Sequence, residues 1–182
     1  MNLLELGLLE HLQEAVASPF LDAFFPLVTK LGNSGWIWIV VALVYLIFAK
    51  TRRAGVTLSA TLICEYILVN LSIKPLVGRV RPYELSRAIE LLVVAPGDAS
   101  FPSGHAAVSF AAAYVIYRYN RVHGIVAYVV ATLIALSRLY LLLHFPTDVI
   151  GGIVIGTLVG VVVVAVLDRL TFPAWLGGDA DV

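Results

Sequence analysis

Charged residues are scarce in this sequence. Of its 182 residues, only 13% are Asp, Glu, Lys or Arg, whereas 60% are hydrophobic. Soluble domains have roughly 25% charged and 45–50% apolar residues, so this composition excludes a soluble domain and indicates a membrane protein. The formal net charge is zero, so nothing in the overall charge points to nucleic acid. We therefore expect the lipid bilayer, and no nucleic acid, as the partner of this chain.

Cysteine is nearly absent as well. The single residue of this type, Cys64, lies in an apolar run, which excludes an intrachain disulfide and a cysteine-rich metal site. The N-terminus also lacks the basic segment and the small-residue cleavage site of a signal peptide, because its first charges are Glu5, Glu10 and Glu14. The first spanning helix is therefore expected to direct insertion.

The apolar pattern predicts an all-α fold, namely a polytopic membrane bundle of about five to six transmembrane helices preceded by an amphipathic N-terminal helix. Residues 1–35 are expected to form an amphipathic or interfacial segment, with residues 2–17 lying on the membrane surface. Phe20–Leu31 is shorter than the roughly 20 residues that a bilayer requires, so it is expected to be tilted or re-entrant. The pattern leaves open whether this N-terminal segment spans the membrane.

Residues 36–168 are predicted to form the transmembrane domain, and residues 169–182 a short polar cytoplasmic tail. Trp36 and Trp38 resemble interfacial anchors at the start of the first span. The predicted spans are Trp36–Ala49, Val56–Ile73, Ala106–Tyr117, Ile125–Leu143 and Val149–Leu167.

The distribution of basic residues predicts the orientation of these spans. Cytoplasmic loops carry an excess of Lys and Arg, so the more basic side is assigned to the cytoplasm of a plasma (inner) membrane protein. His105 and His144 then both lie at the external face, together with the loop from Lys74 to Phe101. The side assigned to the cytoplasm carries Lys50, Arg52, Arg53, Arg118, Arg121 and Arg169, and the external loops carry Lys30, Arg79 and Arg87.

A helix is predicted to begin after Pro102. Pro102 favours an extended residue before it, Ser103 can cap the helix, and Gly104 and His105 then fall in the first turn. Amide groups in a first turn lack intrahelical partners and suit an anion, and Gly104 would let a phosphate approach the backbone. Considered alone, the same residues also fit an ordinary capped helix with an incidental histidine.

Three cations stand at the ends of apolar helices, where isolated charges are costly. Lys74 ends the second span, Arg81 follows seven residues later with Pro75 and Gly78 expected to break any helix between them, and Arg138 lies near the external end of the fourth span. Several cations that face one pocket favour phosphate, because guanidinium groups match its oxygens bidentately and lysine adds a point charge. Each cation alone would more often contact lipid headgroups or pair with a carboxylate.

The segment from His144 to Asp148 breaks the helical pattern. Phe145 precedes a proline and Pro146 suits the first turn of the next helix, which leaves His144 at a helix break. Asp148 can then fold back toward the imidazole, fix its tautomer and leave the other ring nitrogen free to attack. We expect His144 to be a nucleophile and Asp148 the residue that orients it.

These residues occur in three spaced motifs, Lys74-x6-Arg81-Pro82, Pro102-Ser103-Gly104-His105 and Ser137-Arg138-x5-His144-x3-Asp148. In this order and spacing the chain resembles the type 2 phosphatidic acid phosphatase (PAP2) superfamily of membrane lipid phosphatases, over roughly residues 36–167. The resemblance implies a helical bundle, no metal, no cofactor and a phosphohistidine intermediate. The resemblance also implies that Arg138 and His144 face the same site. Their spacing alone does not, because the two side chains would point roughly 240° apart on a continuous helix.

The resemblance also implies a role for each residue. His144 would attack phosphorus, Asp148 would support it, and His105 would protonate the leaving group. The phosphoryl oxygens would be bound by Lys74, Arg81, Ser103, Gly104 and Arg138.

The expected function is hydrolysis of a lipid phosphomonoester or diphosphate at the external membrane face. Undecaprenyl diphosphate, phosphatidylglycerophosphate and phosphatidic acid are admissible substrates, and the sequence favours none of these lipids decisively. A phosphotransferase that uses an alcohol acceptor is the near alternative, and a small anion transporter the remoter one. A metal hydrolase lacks a motif such as H-E-x-x-H, and neighbouring cations would repel a metal.

One charged residue has no place in these motifs. Glu65 lies inside the second span, where a carboxyl group is costly. It is expected to be a structural group that faces the bundle, or else part of a polar path toward Asn70 and Lys74.

Overall fold

The computed structural model describes residues 2–86 and 89–170, which form helices and connecting turns without a β-strand. The predicted all-α bundle is therefore confirmed. The α-helices are α1 Asn2–Val16, α2 Pro19–Gly32, α3 Trp36–Ile47, α4 Arg52–Tyr66, α5 Lys74–Val77, α6 Pro82–Leu85, α7 Gly104–Tyr119, α8 Arg121–Tyr140 and α9 Pro146–Leu167; Ile67–Ile73 is a π-helix between α4 and α5.

Helix α7 lies at the centre of the bundle. Most of its buried side chains are small, and the helix packs against α4, α8 and α9. Helix α9 approaches α7 closely enough for backbone contact, because a Cβ atom at Gly156 would lie 2.0 Å from the Ala107 carbonyl oxygen and one at Gly152 would lie 2.5 Å from that of Ser103. Close approach through small residues is a common way for helices to associate in membranes. It fixes the start of α7 against the start of α9.

The first membrane crossing consists of two half-length helices. Helix α2 begins beside the end of α8, where the Tyr140 hydroxyl donates to Asp22. Helix α3 ends beside the start of α8, where the Tyr45 hydroxyl and the His123 ring lie 2.8 Å apart. Together α2 and α3 therefore cover the full length of α8, and Pro19–Ile47 is long and apolar enough to cross a membrane.

Two predictions for this region are wrong. The first crossing does not begin at Trp36, because α3 with its 12 residues is about 18 Å long and spans only part of a bilayer. Trp38 is also not a surface anchor, because it is buried and donates to Ser109, whereas Trp36 is exposed and donates to the Lys30 carbonyl. The break between α2 and α3 contains Ser34 and Gly35 with φ of 50° and 65°, so the predicted turn is present but lies within the bundle.

The second crossing is longer than predicted. Helix α4 continues through the π-helix and α5 as far as Gly78, whose φ of 57° ends it. Pro75 does not break this run as predicted, because it lies in the first turn of α5, where the absent N–H costs little. The wider turns of the π-helix precede it, a geometry that is frequent at functional sites.

Five crossings follow from these elements. Pro19–Ile47, Ala49–Leu85, Arg121–Tyr140 and Pro146–Leu167 are each long and apolar enough to span a membrane. Helix α7 must also cross, since only Asn120 separates its end from the start of α8. The protein is a multi-pass membrane protein.

Helix α1 lies across the end of the bundle where α8 ends and α9 begins. Leu6 and Leu9 pack against Leu142 and Phe145, and the side chain of Gln13 donates to the Tyr140 carbonyl. This helix leaves Leu3, Leu4, Leu8 and Leu12 exposed.

Candidate active site

A cavity of about 920 Å³ opens between the α2–α3 crossing and helices α4, α7 and α8. One end, here called the phosphate end, contains most of the residues that the sequence analysis selected. Ser103 and Asp148 do not line the cavity; both are fully buried next to it. The predicted residues that line it are Lys74, Arg81, Gly104, His105, Arg138 and His144.

The turn between α8 and α9 brings His144 back beside Arg138. Helix α8 ends at Tyr140, Leu142 adopts a φ of 53°, and Phe145 is extended before Pro146 starts α9. The chain thus leaves the helix between the two residues, which removes the angular separation expected for a continuous helix. The His144 ring is only 1% exposed.

The two nitrogens of His144 face different partners. Nε2 lies 3.2 Å from Nη1 of Arg81. Nδ1 lies 3.5 Å from the Ser100 hydroxyl and 3.7 Å from Oδ2 of Asp148. The direct hydrogen bond expected between Asp148 and His144 is therefore absent, because 3.7 Å is too long. Ser100 bridges the pair, since its hydroxyl donates to Asp148 Oδ2 at 2.5 Å.

Asp148 is held by four groups. Oδ2 also accepts from the Phe145 backbone N–H at 2.9 Å, and Oδ1 accepts from Arg79 Nη1 at 2.5 Å. The Asp148 carbonyl accepts from the Ser103 N–H at 2.9 Å. A carboxylate with this many partners is fixed in position, and it fixes Ser100 in turn.

Arg79 connects this carboxylate to helix α1. Its guanidinium donates to Glu5 at 2.9 Å and to Thr147 at 2.7 Å, and it lies 4.3 Å above the Phe145 ring. Glu5 also accepts from the Thr147 backbone and hydroxyl. Burial opposes ionisation of Glu5, but these hydrogen bonds and the charge of Arg79 outweigh it and lower the pKa of Glu5. The sequence analysis had counted Arg79 only as a cation of an external loop.

Lys74 and Arg81 share one carboxylate, that of Asp98. Lys74 bonds to Oδ2 and Arg81 to Oδ1 at 2.7 Å. Arg81 also donates to the carbonyls of Asp98 and Leu143. Burial alone would raise the pKa of Asp98, but the hydrogen bond and charge of Lys74, followed by those of Arg81, lower it to about 2. Asp98 is therefore ionised at every physiological pH.

Arg138 reaches the cavity from α8. It is 3% exposed, and Nη1 donates to the Thr29 hydroxyl of α2 at 2.6 Å. Its Nε has no hydrogen-bond partner within residues 2–86 and 89–170. A buried guanidinium with a free donor is suited to an anion in the cavity.

The start of α7 differs in one respect from the prediction. Ser103 is extended and precedes the helix, but its hydroxyl does not cap it. That hydroxyl is buried and has no partner in the part of the chain that the structure describes. A Cβ atom at Gly104 would lie 3.4 Å from Asn70 Oδ1 and 3.6 Å from Lys74 Nζ, so glycine keeps space open beside the lysine. His105 Nε2 lies 3.0 Å from Asn33 Oδ1.

The surroundings of His144 disfavour the charged form of its ring. Burial, followed by the positive charges of Arg138, Arg81 and Lys74, lowers the pKa of His144 well below its ordinary value. In a neutral imidazole whose Nδ1 is the protonated nitrogen beside Ser100, the lone pair lies on Nε2, which here faces Nη1 of Arg81. Among the described residues, no three His, Cys, Asp or Glu side chains are grouped so that they could hold a metal ion.

Sequence reasoning missed Ser100, Arg79 and Asp98. Arg79 follows Gly78, which ends its helix, and stands two residues before Arg81; this spacing was the available signal that both arginines serve one site. Ser100 and Asp98 come just before the Pro102 motif, within a long polar interval, and only the fold shows where they lie. Thr29 was also missed, because Phe20–Leu31 was expected to be a tilted or re-entrant segment outside the predicted transmembrane domain.

Comparison with known proteins gives consistent results. A family model described as the PAP2 superfamily matches residues 54–172. An undecaprenyl-diphosphatase from Sulfolobus acidocaldarius is 33% identical over 75% of this chain and 66% of its own length. A lipid A 4'-phosphatase from Porphyromonas gingivalis is 30% identical over 80% of this chain and 65% of its own length. The chain thus spans slightly less than two thirds of the length of these two relatives.

A solved structure is similar over most of the chain. The crystal structure of a transmembrane PAP2-type phosphatidylglycerolphosphate phosphatase from Bacillus subtilis superposes with a TM-score of 0.71 at 26% identity. The match covers 89% of this chain and 84% of that one.

Proposed function

The chain belongs to the PAP2 superfamily, and from this premise we propose that it is an integral membrane phosphatase that hydrolyses a lipid phosphomonoester or diphosphate through a phosphohistidine. The observation that carries this proposal is the shape of the cavity. It joins three cations and two histidines to an apolar region on helices α3 and α4.

The apolar part of the cavity, here called the slot, suits a lipid chain. Its walls include Ile39 and Leu43 of α3 and Leu62, Ile63 and Tyr66 of α4. Most of these side chains are also exposed on the outer surface of the bundle, which in a membrane protein faces lipid. A substrate could therefore lie with its phosphate at the cations and its apolar part in the slot or the adjacent bilayer.

In the first chemical step, Nε2 of His144 attacks phosphorus and forms a P–N bond. The bond from phosphorus to the leaving oxygen breaks, its electron pair stays on that oxygen, and His105 supplies the proton. Lys74, Arg81, Arg138, Ser103 and the Gly104 amide bind the phosphoryl oxygens. Charge stabilisation by fixed donors and positioning are the main requirements of phosphoryl transfer.

In the second step, water attacks the phosphohistidine. His105 accepts a proton from the water, the P–N bond breaks with its electron pair returning to Nε2, and phosphate leaves. The proton on His105 is then available for the next substrate. Every proton and charge is handled by side chains of this site, so the proposed reaction needs neither a metal nor a cofactor.

The site is proposed to face the outside of a plasma (inner) membrane. Two arginines that the sequence analysis placed in the cytoplasm, Arg53 and Arg118, both pair with Asp168. This cluster lies at the ends of α4, α7 and α9 that are opposite to the phosphate end. The positive-inside tendency supports an external phosphate end.

The candidate substrates are undecaprenyl diphosphate, phosphatidylglycerophosphate, phosphatidic acid and lipid A phosphates. The first two and the last are supported by the names of the similar proteins, and all four combine a phosphate with long apolar chains.

The proposal is tested by phosphate release from the purified full chain in detergent micelles. Each candidate lipid is supplied separately, with EDTA present throughout. We expect release from at least one lipid and no effect of EDTA. Absence of release from every lipid would refute the phosphatase assignment, and release that stops with EDTA would refute the metal-free mechanism.

A further inference from the structure

A buried carboxyl group in the cavity takes no part in the proposed reaction. Glu65 lies in the last turn of α4, lines the cavity and is 2% exposed. Its Oε1 is fully buried and has no hydrogen-bond partner in residues 2–86 and 89–170. A buried oxygen without a partner costs free energy, and most such groups in proteins are hydrogen-bonded. Its presence requires an explanation.

The neighbouring polar groups do not satisfy Glu65. Ser59 also lines the cavity, but its hydroxyl donates to the Gly55 carbonyl. Asn70 lies near Gly104 and Lys74, toward the phosphate end. The side chains next to Glu65 on the slot wall are Leu62, Ile63 and Tyr66. Glu65 thus places a carboxyl group on a slot wall that is otherwise mainly apolar.

Glu65 lies below the phosphate end along the helix axis. Glu65 and Lys74 are nine positions apart on a continuous helical run, which corresponds to a rise on the order of 10 Å. A substrate group that contacts Glu65 while the phosphate lies at Lys74 must therefore be several bonds from phosphorus. It belongs to the leaving group of the reaction.

We propose that Glu65 determines substrate specificity by accepting a hydrogen bond from a hydroxyl, amide or amine group in the leaving part of the lipid phosphate. This proposal rests on the proposed function and narrows it. It favours lipids whose phosphate is attached to a sugar or another donor-bearing headgroup. It disfavours plain polyprenyl diphosphates, whose apolar chain has no donor to offer Glu65.

The physical reason is the asymmetry of buried hydrogen bonds. A site built to accept a hydrogen bond loses affinity for an analogue that lacks the donor, because its own polar group is then left unpaired. An apolar chain placed against Glu65 would leave the carboxyl group buried and unpaired. A donor at the same position satisfies it.

The test uses pairs of synthetic lipid phosphates that differ in one donor. Each pair has the same length and carries either an amide or an ester at the same position, with linkers of increasing length to the phosphate. The full chain in micelles is assayed for kcat/KM with both members. We expect the amide lipid to be preferred by about tenfold or more at the linker length that reaches Glu65.

Three variants locate the preference. Glu65→Leu should abolish it, because the acceptor is lost, and Glu65→Gln should restore part of it, because an amide oxygen still accepts. Ser59→Ala is the matched control on the same wall and should keep the full preference. The proposal is overturned if the wild type shows no preference at any linker length, or if Glu65→Leu lowers both kcat/KM values equally.

A binding measurement separates this proposal from the phosphatase assignment. Non-hydrolysable phosphonate analogues of the best pair are titrated against the wild type and Glu65→Leu, with the shift in thermal unfolding as the readout. Tighter binding of the amide phosphonate by the wild type alone, without phosphate release from any lipid, would uphold the role of Glu65 and refute the phosphatase. Equal binding of both phosphonates by the wild type would refute the role of Glu65.

Discussion

The two ends of the cavity handle charge in opposite ways. At the phosphate end, both carboxylates are paired with cations: Asp98 bridges Lys74 and Arg81, and Arg79 holds Asp148. Within the described residues, Arg138 keeps one donor without a partner there. At the slot end, Glu65 is buried with an unpartnered oxygen among apolar side chains, as far as the described chain extends. Among residues 2–86 and 89–170, Oε1 of Glu65 is the only buried carboxyl oxygen without a hydrogen-bond partner.

This difference indicates that the phosphate end serves the proposed reaction and that the slot end serves recognition of the substrate. A network of paired charges fixes geometry, which phosphoryl transfer needs for every substrate alike. A lone polar group on an apolar wall discriminates between substrates, because it raises the affinity only for a substrate that has a hydrogen-bond donor at the matching position. Substitutions at the phosphate end should therefore change turnover of all lipids equally, and substitutions at the slot should change the ranking of lipids.

The largest effect is expected for His144→Ala. Without the nucleophilic nitrogen no phosphohistidine can form, so kcat should fall by at least about a thousandfold on every lipid phosphate. An acid-labile, base-stable phosphoenzyme should be trapped from the wild type and not from the variant. His123→Ala, at the opposite end of α8, is the matched control. Undiminished turnover in His144→Ala would contradict its role as the nucleophile. A loss of turnover confined to one lipid would contradict the claim that the phosphate end serves all substrates alike.

A smaller but uniform effect is expected for Arg79→Gln. Arg79 acts as a positioning residue, because it donates to Asp148, which accepts from Ser100 beside His144. Loss of one charge-assisted hydrogen bond should lower kcat by about tenfold to a hundredfold and leave KM nearly unchanged. The measurement is the kcat and KM of two chemically different lipids.

The neighbours of Arg79 provide graded controls for this prediction. Glu5→Gln should lower kcat less, because Glu5 contacts Arg79 but not Asp148 in the described contacts. Glu14→Gln, on an exposed part of α1, should have no effect, and Arg79→Lys should recover part of the loss. A change in KM without a change in kcat for Arg79→Gln would contradict a positioning role.

The smallest effect is expected at the slot wall. Leu43→Trp adds bulk to a side chain that lines the slot and is 56% exposed. It should raise KM for a long-chain lipid phosphate by roughly threefold to tenfold and leave a short soluble phosphate ester unaffected. Leu158→Trp on α9, equally exposed but outside the cavity lining, is the control. An equal change for both substrates would show that the slot does not hold the lipid chain.

The sequence was sufficient to predict the all-α bundle. It was also sufficient to predict that most of the selected residues lie at one end of that bundle. Lys74, Arg81 and His105 each lie near an end of a long apolar run in the sequence, so their approximate depth could be inferred from the pattern alone. The approach of His144 to Arg138 could not, because it depends on the turn after Tyr140, where Leu142 adopts an unusual φ.

The first crossing shows a different limit. Gly32–Gly35 has the composition of a surface turn, and the tryptophans that follow resemble anchors at a membrane boundary. In the folded protein this turn lines the cavity, beside His105 and Val108. Irregular backbone at membrane depth is tolerated where it lines a cavity. Without the cavity, the pattern could not distinguish a mid-membrane turn from a surface one.

The contacts of Ser100 and Asp98 were beyond the sequence for a third reason. Both lie in a polar interval without periodicity, so no helical face or strand alternation relates them to other residues. Their place in the site depends on partners that are distant along the chain, such as His144, which lies 44 positions from Ser100.

Asp98 also bears on how easily the site can be emptied. Its carboxylate is tethered beside Lys74 and Arg81, so the protein carries its own competing anion at a high effective concentration. A phosphoryl group that binds these cations must displace this internal counter-ion, and the counter-ion returns when the group departs. In the proposed reaction, this internal counter-ion would oppose tight retention of inorganic phosphate and so favour repeated turnover over product trapping.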